Sequence, residues 1–403
     1  MQHTRTMSRR GLLTAAPMAA AAALLPRAAE SASDVPPLPA PISADTFRER
    51  QARLESELTR AGLDAALVVP STNLHYLAAA DPGRSERLMA LLLRPGKPSV
   101  FVSPAFEEDR VRRDAVVRDI LTWKEDEDPI ALAASVLKGA TKIGIEGSTD
   151  YHTVARLADA TGAKVFDASA SFDALRSVKT ATEKALVADA AARTERAIAA
   201  VHRQLAEGMT ERQIAELLEK EFRLQLVRGG GLVQIGPSSA LPHGGPGDAV
   251  LSKGSVLLID CGCKVHGYSS DITRTVAFGN PPDKVRKVYA AVDAAQRAGY
   301  AAFRAGAIPE LVDRAARKAI EDAGFGPHFT HRLGHGLGMD GHEAPYLVGG
   351  NKKPLAAGNL CTIEPGIYLR GEFGVRIEDD LFAKDGGNEP LSARPKELVV
   401  LKA

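Results

Sequence analysis

Val256-Leu257-Leu258-Ile259-Asp260 and its downstream counterpart Leu360-Cys361-Thr362-Ile363-Glu364 decide how this chain is read. Each is four residues, all apolar but Thr362, ending in an acid. Such a run reads as a buried strand, so each acid is delivered to the end of an element with no polar face. A second acid follows each one across a turn: Asp271 after Gly262 and Gly267, and Glu378 after Pro365-Gly366. Burying carboxylates without a cation is costly. His335 lies between Gly334 and Gly336, where the backbone can be approached closely. Carboxylate and imidazole donors together suit manganese, iron, cobalt or zinc. Spacing alone leaves the plainer reading open: strand-end acids as turn residues, and Glu378-Asp379-Asp380 as a solvated charge run.

Around these strings the order of elements repeats. A long helix from Ala181 is broken at Gly208, and Thr210-Glu211-Arg212-Gln213 starts the next with a capping-box pattern. Strands follow at Leu232 to Ile235, Ser255 to Asp260 and Ile272 to Phe278. A second pair of helices comes after Asn280, read as a cap before Pro281-Pro282, and after Pro309. Strands around Phe329, Leu360 to Ile363, Gly374 to Phe382 and Leu398 to Leu401 complete the pattern. Two helices then strands, twice over, predicts an internally duplicated α+β domain. Upstream, from Asp45 to Phe166, short helices and strands alternate, which predicts a smaller α/β domain with a largely open sheet. It has no G-x-G-x-x-G after a strand, so a dinucleotide site is not expected.

The N-terminus reads as an export signal. Ser8-Arg9-Arg10-Gly11-Leu12-Leu13 opens an alanine-rich apolar run too short to span a membrane comfortably. The paired arginines resemble a twin-arginine signal, with Leu12 where the consensus usually has Phe. The expected organisation is a signal peptide over 1–31, a proline-rich linker over 32–44 that does not pack, the α/β domain over 45–172 and the duplicated domain over 173–403. The protein is then exported, periplasmic or secreted, with no stable membrane anchor. A formal charge of +1 and the lack of a basic, aromatic-laced patch give no reason to expect a nucleic-acid partner. Three cysteines, Cys261, Cys263 and Cys361, make no disulfide framework and read as small buried side chains.

A set of strings together resembles the pita-bread metallopeptidases, in their Xaa-Pro branch of aminopeptidase P and prolidase. These are Leu175-Arg176-Ser177-Val178-Lys179, Pro242-His243-Gly244, Asp260-Cys261-Gly262, Gly267-Tyr268-Ser269-Ser270-Asp271, Gly334-His335-Gly336-Leu337-Gly338, His342-Glu343-Ala344-Pro345, Ile363-Glu364-Pro365-Gly366 and Val375-Arg376-Ile377-Glu378-Asp379. Thr72-Asn73-Leu74-His75-Tyr76-Leu77 is similar to the N-terminal domain of the same family. The resemblance implies a duplicated pita-bread catalytic domain behind a creatinase/prolidase N-terminal-like domain. It implies two divalent metal ions, manganese first with cobalt, zinc or iron as alternatives, on Asp260, Asp271, His335, Glu364 and Glu378.

By the same resemblance a hydroxide held between the metals attacks the peptide carbonyl, with Glu364 as proton shuttle. His243 and His342 hold substrate and stabilise the oxyanion, His331 shapes a proline-side pocket, and Arg376 orients carboxylates or meets substrate. The expected partners are short proline-containing peptides and a second copy of the chain, as a dimer or tetramer. The expected activity is that of an Xaa-Pro aminopeptidase. Alternatives are an Xaa-Pro dipeptidase, a creatinase-like C–N hydrolase or lyase on the same fold, and a non-enzymatic interaction protein.

Overall fold

In the computed structural model, which describes residues 35–403, Ser43 caps helix α1 (Ala44–Arg60) by accepting from the Thr46 amide. The expected signal peptide lies outside the described residues. Next come β1 (Ala65–Val68), α2 (Thr72–Ala78), β2 (Ala90–Arg94), β3 (Lys97–Pro104), α3 (Glu108–Asp114) and β4 (Asp119–Trp123). The domain continues with α4 (Pro129–Val136), β5 (Lys142–Ile145), α5 (Tyr151–Thr161), β6 (Lys164–Asp167) and α6 (Ser169–Arg176). The six strands form one mixed sheet in the order β4-β3-β2-β1-β5-β6. Alternation sorts its side chains: Ala65 and Leu67 face a core shared with Ile130 and Leu157, whereas Ala66 and Val68 face one shared with Leu54 and Leu58. The second of these cores runs on without a break into the domain that follows, through Leu186, Ile198, Leu218 and Leu257.

That domain opens with α7 (Ala181–Gln204) and α8 (Glu211–Leu224), each started by a threonine capping box, at Thr180 and Thr210. Its first sheet holds β7 (Gly229–Ile235), β8 (Ser255–Val265), β9 (Tyr268–Ser269) and β10 (Ile272–Phe278). The second half repeats the order with α9 (Asp283–Ala302), α10 (Pro309–Asp322), β11 (Gly334–Gly336), β12 (Glu343–Leu347) and β13 (Leu360–Ile363). It ends in β14 (Gly366–Leu369), β15 (Phe373–Arg376), β16 (Asp379–Lys384), β17 (Gly387–Pro390) and β18 (Val399–Leu401). One sheet runs β18-β10-β8-β7 with β9 beside β8, the other β12-β11-β13-β16-β17, and β14 pairs β15. The duplicated α+β arrangement expected from element order is therefore present.

Several local expectations are corrected. The strand carrying Asp260 does not end there. It continues to Val265, because the chain reverses at His266 and Gly267, whose φ values of 47° and 87° suit a tight hairpin. The strand expected from Gly374 to Phe382 is two strands in different sheets, with Glu378 at the crossing between them. Helix α9 starts at Asp283 behind both prolines, so Asn280 is no cap; its Oδ1 instead accepts from Arg286. Phe329 follows a 3₁₀ turn and lies in no strand. The proline-rich linker is packed: the carbonyl of Pro37 accepts from Arg193, that of Pro39 pairs with His266 Nε2, and Ile42 lies on the core. Prolines lack N–H groups but keep their acceptors. Edge strand β4 and the short helices α2 and α6 had no legible period.

Close approach decides one glycine. A Cβ on Gly231 of β7 would lie 2.0 Å from the Asp260 carbonyl oxygen in β8. Gly231→Ala is expected to force the two strands apart behind the acid-bearing segment, costing about 1–3 kcal/mol. A lowered urea midpoint at unchanged slope is the expected reading; an unchanged midpoint would refute the packing argument.

Candidate metal centre

The five sequence-nominated donors converge on one cavity of about 490 Å³, lined also by Pro242, His243, His331, Arg332, His342 and Arg376. Asp260 sits within β8, cross-strand from Thr273 of β10, and Asp271 immediately precedes β10. His335 is the middle residue of the short strand β11, and Glu364 directly follows β13. Asp260, Asp271 and Glu378 bring ligating atoms within 4.8 Å of one another, and so do His335, Glu364 and Glu378. The two groups share Glu378, the geometry needed for a carboxylate that serves two neighbouring cations.

The orientation of His335 tests whether a cation fits. Its Nδ1 lies 3.1 Å from the Gly336 carbonyl, which can only accept, so the proton is on Nδ1. Burial lowers its pKa to about 3, keeping the ring neutral. The Nε2 lone pair then faces Glu364 Oε1 at 3.3 Å and Asp271 Oδ2 at 3.8 Å. Acceptors facing acceptors in a cavity repel unless a proton or a cation lies among them. The donor set, imidazole and carboxylate, is that of a borderline divalent metal, and the residues fit two such ions.

The acids are under the same strain. Burial first, then the charges of Asp260, Asp380 and Glu364, raises the pKa of Asp271 well above its usual range. Burial, then Asp271 and Glu364, does the same for Glu378. Glu364 is pushed up to about 8, mainly by burial, with Arg376 opposing. Neighbours hold the carboxylates in place: Thr273 Oγ1 donates to Glu378 at 2.6 Å, and Asp380 accepts from the Asp271 amide at 3.1 Å. Arg376 is buried, and each guanidinium nitrogen has a protein partner: Asp260 at 2.5 Å, the Tyr368 hydroxyl at 2.8 Å and Thr273 at 3.1 Å. With all its nitrogens bonded to protein groups, it forms a buried ion pair with Asp260.

The remaining histidines differ in kind. His331 is pinned at both nitrogens, by the Arg332 carbonyl and the Tyr368 hydroxyl, each at 2.8 Å, so it offers its ring rather than a proton. His243 and His342 are exposed at the cavity, and the His342 ring centre lies 3.9 Å from that of His335. Sequence reasoning missed Arg332, which lines the cavity stacked 4.5 Å over Tyr346, with no carboxylate partner among the described residues. It also missed Asp379 and Asp380. These are fully buried, and Asp379 is held by Arg274, Gln296 and Ser392, so the acidic triplet is no solvated run. The three cysteines are buried and free, as expected. Among the described residues no helix is long and apolar enough to cross a membrane.

A pH prediction follows. Unfolded, Glu364 loses its proton near its ordinary value of 4.5; folded and metal-free, it keeps it to about 8. The folded state then binds more protons, so stability falls as pH rises through that interval. The depressed histidines act oppositely, but only below about 6.5. Metal-stripped protein should therefore lose melting temperature between pH about 6.5 and 8. Glu364→Gln should flatten the loss and manganese should reverse it. A melting temperature rising with pH over that window would overturn the charge assignment.

Comparison with known proteins agrees with this geometry. Residues 185–385 match metallopeptidase family M24, and residues 50–178 match the creatinase/prolidase N-terminal domain. The chain is 33% identical over 361 residues to an Xaa-Pro dipeptidase of Lactobacillus delbrueckii, covering 87% of this chain and 98% of that one. Dipeptidase PepE from Mycobacterium ulcerans superposes with a TM-score of 0.86 at 34% identity, covering 90% of this chain and all of that one. An X-Pro aminopeptidase from Thermotoga maritima superposes at 0.76 with 29% identity, over 86% of this chain and 100% of that one. With the ligand-type residues gathered in one cavity and both domains matched, the chain belongs to metallopeptidase family M24.

Proposed function

We propose that this protein is a metal-dependent Xaa-Pro dipeptidase. This departs from the aminopeptidase expected from sequence and takes up its first alternative. The observation that now carries the dipeptide reading is Arg332: a guanidinium at the cavity that holds the acids, in no ion pair with a carboxylate among the described residues. A free C-terminal carboxylate one residue beyond the scissile bond is the group it suits, through charge-assisted hydrogen bonds. Relatives that bear the name dipeptidase support the same choice.

Asp260, Asp271, His335, Glu364 and Glu378 would hold the two ions, which when bound supply Lewis acidity at the scissile carbonyl and lower the pKa of the attacking water. The chain's own groups do the rest. Glu364 carries the proton from the attacking water toward the leaving nitrogen. Arg376 fixes Asp260 so that its carboxylate does not turn away. His243 and His342 donate to the carbonyl oxygen as its charge grows. His331, with both nitrogens occupied, presents a ring to the proline. That is appropriate because the tertiary amide has no N–H to recognise.

Export by the twin-arginine route is part of the proposal and rests on Arg9-Arg10 and the apolar run behind them. Arg9→Lys with Arg10→Lys should leave the protein in the cytoplasmic fraction; unchanged export would exclude this route.

Manganese-reconstituted enzyme should cleave Xaa-Pro and cleave Xaa-Pro-Xaa far less well; a preference for the tripeptide would restore the aminopeptidase reading. Arg332→Ala should raise KM for Xaa-Pro by about 10–100-fold, the worth of a charged hydrogen bond, with little change for Xaa-Pro-amide. An equal rise for both would exclude the carboxylate contact. Asp271→Ala and Glu378→Ala should each lower activity by at least about 10²-fold and release metal; full activity in either would sink the metal mechanism.

A further inference from the structure

Two strings singled out by the sequence take no part in the metal centre: Thr72-Asn73 at the start of α2, and Arg176 with Lys179 at the domain junction. They meet on one loop. Residues 337–342 connect β11 to β12 and carry His342, whose ring packs on that of His335. Glu343 follows His342 directly. One of its carboxylate oxygens pairs with Lys179 and the other with Arg176, and all three side chains are largely withdrawn from solvent. Arg176 reaches Asp340 Oδ2 at 2.5 Å on the other side of His342, and its Nη1 donates to Asn73 Oδ1 at 3.1 Å. The Thr72 hydroxyl donates to Asp340 Oδ1 at 2.6 Å. The turn between is tied by Ser269 N to Gly338 O at 2.7 Å and by Lys264 to Met339 O at 2.8 Å.

His342 itself is exposed, and no side-chain hydrogen bond to it is present among the described residues. Among these residues its ring touches only that of His335 and is held by no hydrogen bond, so its placement depends on the loop that carries it. Its position is inherited from Asp340 and Glu343, the residues two before and one after it. Both are gripped by the same guanidinium, and that guanidinium is held by the N-terminal domain through Asn73. Asp340 and Glu343 face Arg176 and Lys179, with buried Glu146 beside them on Asn73, so removing one cation would leave buried negative charge uncompensated.

We propose that Arg176, backed by Lys179, Thr72 and Asn73, is a positioning residue for catalysis. It clamps both flanks of His342 and so makes the N-terminal domain part of the catalytic apparatus. The inference rests on the role given above to His342. A displaced donor costs rate rather than affinity, and misplacement by about 1 Å is worth about 10²-fold.

The test is a double-mutant cycle on the manganese-loaded enzyme with an Xaa-Pro dipeptide. Arg176→Ala should lower kcat by about 10²-fold with KM and metal content little changed. Arg176→Lys should recover part of the loss. In a His342→Ala background, Arg176→Ala should cost less than about twofold more, because the residue it positions is gone. Multiplying losses in the double variant would overturn the proposal and leave Arg176 a merely structural ion pair. If Arg176→Ala does not fold, Thr72→Val removes only the far hydroxyl. It should give a smaller kcat loss that likewise vanishes with His342→Ala; a loss that persists would count against the clamp. If His342→Ala alone keeps full kcat, the role of His342 fails, and that failure is distinct from additivity in the cycle.

Discussion

Like charges crowded into one dry cavity are the constraint on which the rest of this structure depends. Asp271, Glu364 and Glu378 all have raised pKa values, chiefly because burial penalises their charged forms. Two unit charges about 4 Å apart repel by about 4 kcal/mol at an effective dielectric near 20, so three cannot ionise together without help. Of the two guanidinium groups that line the cavity, the fold spends Arg376 on Asp260, while Arg332 acts on Glu364 only through its charge. It supplies hydroxyls from Thr273 and Thr362. It also places a neutral imidazole with its lone pair turned inward. Each of these orients a donor and none neutralises the set, so the acids must either hold protons or share external cations.

The same economy of charge governs the domain junction. A continuous apolar core runs from Leu54 in the first domain to Leu257 beneath the site. Embedded beside it is a buried set in which Arg50 meets both Glu183 and Tyr268. Buried ion pairs add little net stability over apolar packing but penalise wrong arrangements strongly. Their use at this seam fits a boundary whose geometry matters. The N-terminal domain is fixed to the catalytic one by contacts that tolerate few alternatives, which is what a loop gripped from both sides requires.

Most of the fold was legible in the chain. Strands β1 and β5, helices α7 and α10 and the Thr210 cap follow from period and capping chemistry, because those signals are local; the matching cap at Thr180 went unread. The misreadings arose where the deciding partner is remote. The Asp260 strand was ended early because the hairpin turn lies at His266-Gly267, beyond the acid. The Gly374 to Phe382 run looks continuous, yet its halves answer to different sheets. The acidic triplet was weighed as solvated because Arg274, Gln296 and Ser392, which bury Asp379, are far away in sequence.

What the sequence determined by itself is the set of donors: two acid-tipped apolar runs, their following acids, and one histidine between glycines. Residue type and hydrophobic period encode chemistry and burial, and both are written locally. What only the tertiary structure decided is how each donor is used. It turned the His335 lone pair toward Glu364, committed Arg376 to Asp260, left Arg332 without a carboxylate, and hung the His342 loop on Arg176. These depend on which groups meet across long stretches of chain, and a hydrogen bond or ion pair exists only where both partners arrive within about 3 Å.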